Sequence, residues 1–258
     1  MTDFLKLDSK KIEIQWYRKG KKEFPTLIFL HEGLGCTRMW KNFPEVVSRA
    51  TGCPALVFSR FGYGHSDPCP IPWKINFMHK EALKILPDIL RKTQIKSYIL
   101  IGHSDGGSIS LIFAGSPCSK GLKGLITMAA HVFCEQITVD CIRQAKKNYE
   151  HRDLKKGLEK YHGKNTENTF RGWNDAWLDP NFMNWNIEKY LHRIHVPMLA
   201  IQGKEDQYGT IQQIESIKIH VKQVQSYLID DCRHSPHLEQ PETVLNYITQ
   251  FILRIVSH

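Results

Sequence analysis

The segment Gly102-His103-Ser104-Asp105-Gly106 constrains this chain more than any other stretch. It follows an apolar run, Tyr98-Ile99-Leu100-Ile101, and precedes a helix-compatible segment, Gly107 to Ala114. A strand that turns sharply into a helix pushes the residue at the turn forward, in a strained backbone conformation. The positions two before and two after must then be small, and Gly102 and Gly106 are. Ser104 is therefore a candidate nucleophile at the C-terminal end of a strand. Gly and Ser also build ordinary tight turns, so the reading depends on partner residues further along the chain.

A serine is a poor nucleophile until a base takes its proton, and imidazole titrates where it can both take and return one. A buried carboxylate fixes the imidazole tautomer and stabilises the imidazolium. Both groups occur after Ser104 in suitable places. The apolar run Pro197 to Gln202 reads as a buried strand and ends in Gly203-Lys204-Glu205-Asp206. Asp206 is the favoured acid on its Gly-x-x-Asp spacing, with Glu205 as its neighbouring competitor. Ser226 to Ile229 reads as the next strand, and the loop after it carries His234 and His237. His234 comes sooner after the strand, which suits a rigidly held base. His237 precedes Leu238-Glu239-Gln240-Pro241 at a helix entry, so capping or surface exposure is expected of it.

Acyl transfer also needs two backbone N–H groups aimed where negative charge develops. Asp105, directly after the serine, supplies one. The loop His31-Glu32-Gly33-Leu34-Gly35, after the strand Thr26 to Leu30, supplies the other from Gly33 or Leu34. A phosphate-binding loop is a poor reading, because no Lys follows the glycines and the G-x-G-x-x-G spacing is absent.

With these residues in view, the chain resembles the α/β-hydrolase superfamily along nearly its whole length. His31-Glu32-Gly33-Leu34-Gly35 is similar to that family's His-Gly oxyanion loop. Ser59-Arg60-Phe61-Gly62-Tyr63-Gly64-His65-Ser66 is similar to its Gly-x-Gly-x-Ser turn, and Pro236-His237-Leu238-Glu239-Gln240-Pro241 to the segment after its catalytic histidine. Two residues depart from the pattern: Glu32 stands where Gly usually follows the loop histidine, and Arg233 where Gly often precedes the base. The resemblance implies an α/β fold, with a mostly parallel sheet, helices on both faces and an inserted helical cap. It implies a serine hydrolase with Ser104 as nucleophile, His234 as base and Asp206 as its orienting acid, and no metal or organic cofactor.

Bulk properties agree with one α/β domain. The 258 residues are 41% hydrophobic, and no apolar run is long enough to span a bilayer. The first six residues contain no apolar segment of the kind a signal peptide needs. Seven cysteines without a C-x-x-C pair suggest free thiols in a reducing cytoplasm. Lys11 to Tyr17 alternates like an edge strand, Thr37 to Ala50 can be helical, and Ala55 to Phe58 and Leu122 to Met128 read as strands. Phe77 to Lys92 reads as a helix bent at Pro87, and Glu242 to Val256 as the C-terminal helix.

From His131 to His195 the strand pattern vanishes, and resumes afterwards. The expected organisation is a hydrolase core from 1–130 and 196–258 with a helical cap over 131–195. In a parallel α/β sheet, ligands bind outside the C-terminal ends of the strands. His31 and Glu32 beside the serine, and Trp173 and Trp177 in the cap, are accordingly candidate substrate-binding residues. Most cap aromatics are expected simply to pack the cap onto the core.

The net charge is +9, and Arg143 to Lys164 holds eight basic residues against three acids. Arg152, Lys156 and Lys160 recur every four residues, as on one helical face, and a charged stripe is usually a solvated face. Read functionally, Arg143, Arg152, Lys155, Lys156 and Lys160 form a docking surface for an acidic partner. No nucleic-acid motif accompanies the charge, and an acidic acyl carrier protein suits it better. A capped serine hydrolase with a basic lid resembles the carboxylesterases that demethylate pimeloyl-acyl-carrier-protein methyl ester in biotin synthesis. Two alternatives stay open: a C–C bond hydrolase of ring-cleavage products, and a hydrolase-fold ligand receptor with little turnover.

Overall fold

The computed structural model describes residues 3–17 and 23–257 and contains one eight-stranded sheet. Its strands are β1 (Asp3–Leu7), β2 (Lys10–Tyr17), β3 (Thr26–Leu30), β4 (Ala55–Ser59), β5 (Tyr98–His103), β6 (Leu122–Met128), β7 (Met198–Gly203) and β8 (Val224–Ile229). They run in the order β1-β2-β4-β3-β5-β6-β7-β8. The first two pairings, β1 with β2 and β2 with β4, are antiparallel, and the other five are parallel.

Side-chain alternation divides the core between the two faces of the sheet. On one face, Leu27 and Phe29 of β3 and Ile99 and Ile101 of β5 pack with Phe43, Val47, Val244 and Ile248. Those four residues come from the helices Phe43–Thr51 and Pro241–Val256. On the other face, Ile28, Leu30 and Leu100 pack with Ile109, Ile112 and Phe113 of the helix Asp105–Ala114. Every residue of β3 and β5 is buried, which explains why both read as continuous apolar runs.

The helix after β5 lies very close to the sheet. A methyl group on Gly106 would stand 2.0 Å from the Leu30 carbonyl oxygen, and one on Gly102 would stand 2.3 Å from the Gly106 carbonyl oxygen. Glycine is required at both positions for the turn to seat. Ser104 itself sits at φ 51°, ψ −118°, a conformation that costs a non-glycine residue roughly 1–3 kcal/mol.

Two local expectations are corrected, and a third, the helix from Phe77 bent at Pro87, is refined. The Lys11 to Tyr17 segment is not the edge: β1, whose DFLKL sequence carries little pattern, covers its outer side. Thr37 to Ala50 is not one helix, because Lys41 takes φ 52° after a short 3₁₀ turn and the α-helix restarts at Phe43, with Pro44 in its first turn. Before Pro87, the segment from Phe77 contains a π turn, Glu81–Ile85. That widened turn sits where the proline ring interrupts the ordinary i→i−4 ladder.

Between β6 and β7 the chain forms the helices Gln136–His151, Leu154–His162, Thr166–Trp177 and Glu188–Leu191, with short 3₁₀ turns. Arg152 breaks the first from the second in an extended conformation, so it does not share a helical face with Lys156 and Lys160. All seven cysteines are free. Among the described residues, no helix is long and apolar enough to cross a membrane.

Candidate active site

The ends of β5, β7 and β8 bring Ser104, Asp206 and His234 together. His234 Nε2 lies 2.9 Å from Ser104 Oγ, and His234 Nδ1 lies 2.8 Å from Asp206 Oδ1. A carboxylate only accepts, so Nδ1 carries the proton and Nε2 is free to accept from the serine hydroxyl. Asp206 Oδ1 also accepts from the backbone N–H of Tyr208, at 2.9 Å. Burial works against the Asp206 charge, but its contact with His234 prevails and holds the carboxyl below its ordinary pKa. Glu205 faces elsewhere and accepts from the backbone N–H of Cys232.

The loop that carries His234 is held at both sides. Glu239 accepts from the backbone N–H groups of Arg233 and Ser235, at 2.9 and 3.0 Å. Arg233, which replaces the more usual Gly, thus remains compatible with a fixed loop through its backbone.

A cavity of about 90 Å³ opens on Ser104, with Asp105, Gly33, Leu34 and Glu32 along one side. Asp105 opens its helix, where the first N–H groups have no partner within the helix. A methyl group on Gly33 would meet the Trp173 indole nitrogen at 2.1 Å, so this indole lies directly over the loop. Trp173 and Trp177 both line the cavity while being buried, so packing and pocket formation are the same contacts.

His31 does not reach the cavity, contrary to its expected role in binding substrate. It is fully buried, its Nε2 accepts from the Arg60 backbone N–H at 3.0 Å and its Nδ1 donates to the Glu32 carbonyl at 2.7 Å. It anchors the loop. Burial, reinforced by the Arg60 charge, keeps this imidazole neutral by pulling its pKa well down. His237 is neither a cap nor exposed: it is 4% exposed, against Trp40, Phe43 and His103.

Several residues beside the site have no counterpart among the candidates read from the sequence. His131 and Tyr208 place their rings 5.9 and 4.7 Å from that of His234. Burial, with the nearby His234, pushes the His131 pKa down to about 3. His162 donates from Nε2 to the Leu34 carbonyl and accepts from the Gly64 N–H, joining the insertion to two core loops. Arg60, also buried, donates to the Glu32 carbonyl and lies 3.7 Å from Asp105 Oδ2. Nothing in the local pattern marks these residues, because each acquires its neighbours through long-range packing. The basic residues Arg143, Arg152, Lys155, Lys156 and Lys160 lie on the insertion; Arg152, Lys155, Lys156 and Lys160 are exposed, and Arg143 pairs with Asp140 at 2.5 Å.

The profile of the alpha/beta hydrolase family matches residues 27–246. The chain belongs to that family. A human relative, serine hydrolase BPHL, is 29% identical over 185 residues, covering 69% of this chain and 62% of its own length. This alpha/beta hydrolase thus spans less than two thirds of that relative. A putative esterase/lipase from Mycoplasma genitalium is 23% identical over 91% of each chain. Among solved structures, a carboxylesterase of Nitrososphaera gargenis superposes with a TM-score of 0.80 at 14% identity, over 99% of both chains. That likeness establishes the shared fold.

Proposed function

We propose that this alpha/beta hydrolase is a serine carboxylesterase acting on short acyl esters through an acyl-enzyme. The observation that carries this reading is the contact series from Asp206 through His234 to Ser104, with steps of 2.8 and 2.9 Å. Ser104 Oγ attacks the ester carbonyl while its proton passes to His234 Nε2, and Asp206 stabilises the resulting imidazolium. The N–H of Asp105 and that of Gly33 or Leu34 receive the developing oxyanion. The alcohol leaves with the proton from His234. A water, deprotonated by the same histidine, then attacks the acyl-enzyme and releases the acid.

The cavity of about 90 Å³, walled by Ile142, Trp173, Trp177 and Tyr208, supports a short acyl or alkyl group. Names of esterase type among the relatives support the reaction class. A series of soluble aryl esters of increasing acyl length tests the reading. Acetyl and butyryl esters should turn over faster than octanoyl; no turnover of any ester would contradict it.

A second reading concerns the partner. The exposed Arg143, Arg152, Lys155, Lys156 and Lys160 favour an acidic acyl carrier protein that delivers the ester. In this reading the substrate is a carrier-bound methyl ester of the pimeloyl type, as used in biotin synthesis; its methyl group is small enough for the cavity, and its longer acyl chain runs out of the cavity toward the carrier.

A further inference from the structure

The His103 side chain meets the backbone of His234. Its Nε2 lies 2.7 Å from the His234 carbonyl oxygen. A carbonyl only accepts, so Nε2 is protonated and donates. The other ring nitrogen, Nδ1, lies 3.4 Å from Glu32 Oε2. In a neutral ring this nitrogen would turn a lone pair toward a carboxylate. A second proton replaces that repulsion with attraction. The approach falls outside hydrogen-bond geometry, so with a doubly protonated ring the contact is an ion pair.

The surroundings agree with paired charges. The His103 side chain is 2% exposed and that of Glu32 23%. Burial opposes the His103 charge, and Glu32 overrides it, so the imidazole pKa rises. Burial likewise opposes the Glu32 charge, and His103 overrides it, so the carboxyl pKa falls well below its usual range. The other titratable rings around His103 are His234 at 5.3 Å and His237 at 4.9 Å. Asp206 adds a more distant negative charge. Gly35 makes space for the Glu32 carboxylate, since a methyl group there would stand 2.4 Å from an Oε atom.

Three loops have to meet at Ser104, and this pair touches all of them. Glu32 lies in the loop after β3, His103 is the last residue of β5 and His234 lies in the loop after β8. Glu32 is also the residue that departs from the family's His-Gly loop. We propose that Glu32 and His103 are a positioning pair that holds the His234 backbone, and with it the base, in register with Ser104 and the oxyanion loop. The proposal rests on the reading of Ser104 and His234 as nucleophile and base.

Three variants test it. His103→Phe keeps a buried ring and removes the donor. His103→Gln retains an N–H able to reach the same carbonyl without charge. Glu32→Gln removes the partner charge at nearly constant shape. The readouts are the melting temperature, kcat and KM for a soluble aryl ester, the rate at which a small fluorophosphonate labels Ser104, and histidine ring ¹⁵N NMR. Wild-type His103 should be doubly protonated at neutral pH and should become a neutral Nε2–H tautomer in Glu32→Gln. Folded His103→Phe should lose roughly 10- to 100-fold in kcat with KM nearly constant, and His103→Gln should recover most of that loss. A neutral His103 in the wild type overturns the proposal, as does a folded His103→Phe that labels at the wild-type rate. Where His103→Phe does not fold, the spectra decide: a ring that stays doubly protonated in Glu32→Gln overturns the pair. Failure of the wild-type protein to label at Ser104 would instead overturn the underlying nucleophile reading.

Discussion

Trp177 donates its indole N–H to Asp105 Oδ1 across 3.2 Å, joining the inserted helix Thr166–Trp177 to the residue after the serine. Asp105 is fully buried, and its other oxygen lies 3.7 Å from Arg60. Burial raises the Asp105 pKa, with Arg60 and Trp177 acting in the opposite direction. Replacing Trp177 by Phe leaves a buried carboxylate oxygen without its donor, which should cost about 1–3 kcal/mol of stability. Urea unfolding of Trp177→Phe measures this; an unchanged midpoint would mean that the bond contributes nothing net.

The turn at Ser104 depends on the absence of a side chain at Gly106. A Cβ there would lie 2.0 Å from backbone oxygen of Leu30, which cannot rotate away as a side chain could. Gly106→Ala should therefore destabilise by about 3 kcal/mol or more, with the helix Asp105–Ala114 displaced. Wild-type stability in this variant would show that the strand and helix can separate at little cost.

The same turn marks what the sequence makes legible. The strand, Ser104 and its flanking glycines are local, so Gly102 to Gly106 can be read directly, as can the order of Asp206 and His234 after it. Glu32 can be recognised as a departure from the family pattern but not given a partner, because His103 lies 71 positions away in another strand's end. His237 reads as a surface residue because it precedes a polar helix entry, whereas Trp40 and Phe43 bury it from another part of the chain. The short strand β1 is not legible, because the five residues DFLKL, with Asp3 and Lys6 three apart, carry too little periodicity to separate strand from loop.

Stability should fall in acid through the buried histidines. Burial pushes His131 and His237 down to about 3, with His234 and His103 respectively adding to the effect. In the unfolded chain an imidazole titrates near ~6.5. Between those two pH values the unfolded state binds more protons, so stability is fully present above the unfolded pKa and declines as pH drops toward about 3. Each ring should contribute about 1 kcal/mol per pH unit across the middle of that window. Urea midpoints from pH 7 to 4 should thus decline less steeply for His237→Phe than for the wild type. Parallel curves would assign the acid sensitivity to other groups.

The carrier-protein reading predicts a difference between substrates. Changing Lys155, Lys156 and Lys160 together to Glu should slow capture of a carrier-bound ester and leave a small neutral ester unaffected. For the wild type, kcat/KM on the carrier-bound ester should fall with salt, since about 0.15 M salt screens exposed charges beyond roughly 8 Å. Equal responses from both substrates would leave the basic residues as a solvated surface.

The central claim is that Ser104 is the nucleophile, and the most direct measurement is turnover of an activated short-chain aryl ester by Ser104→Ala. The comparison is made at matched folding, judged by circular dichroism and melting temperature. A loss of at least ~10³-fold in kcat is predicted, since binding and the oxyanion donors alone would remain. A folded Ser104→Ala protein that turns the ester over at the wild-type rate would contradict it.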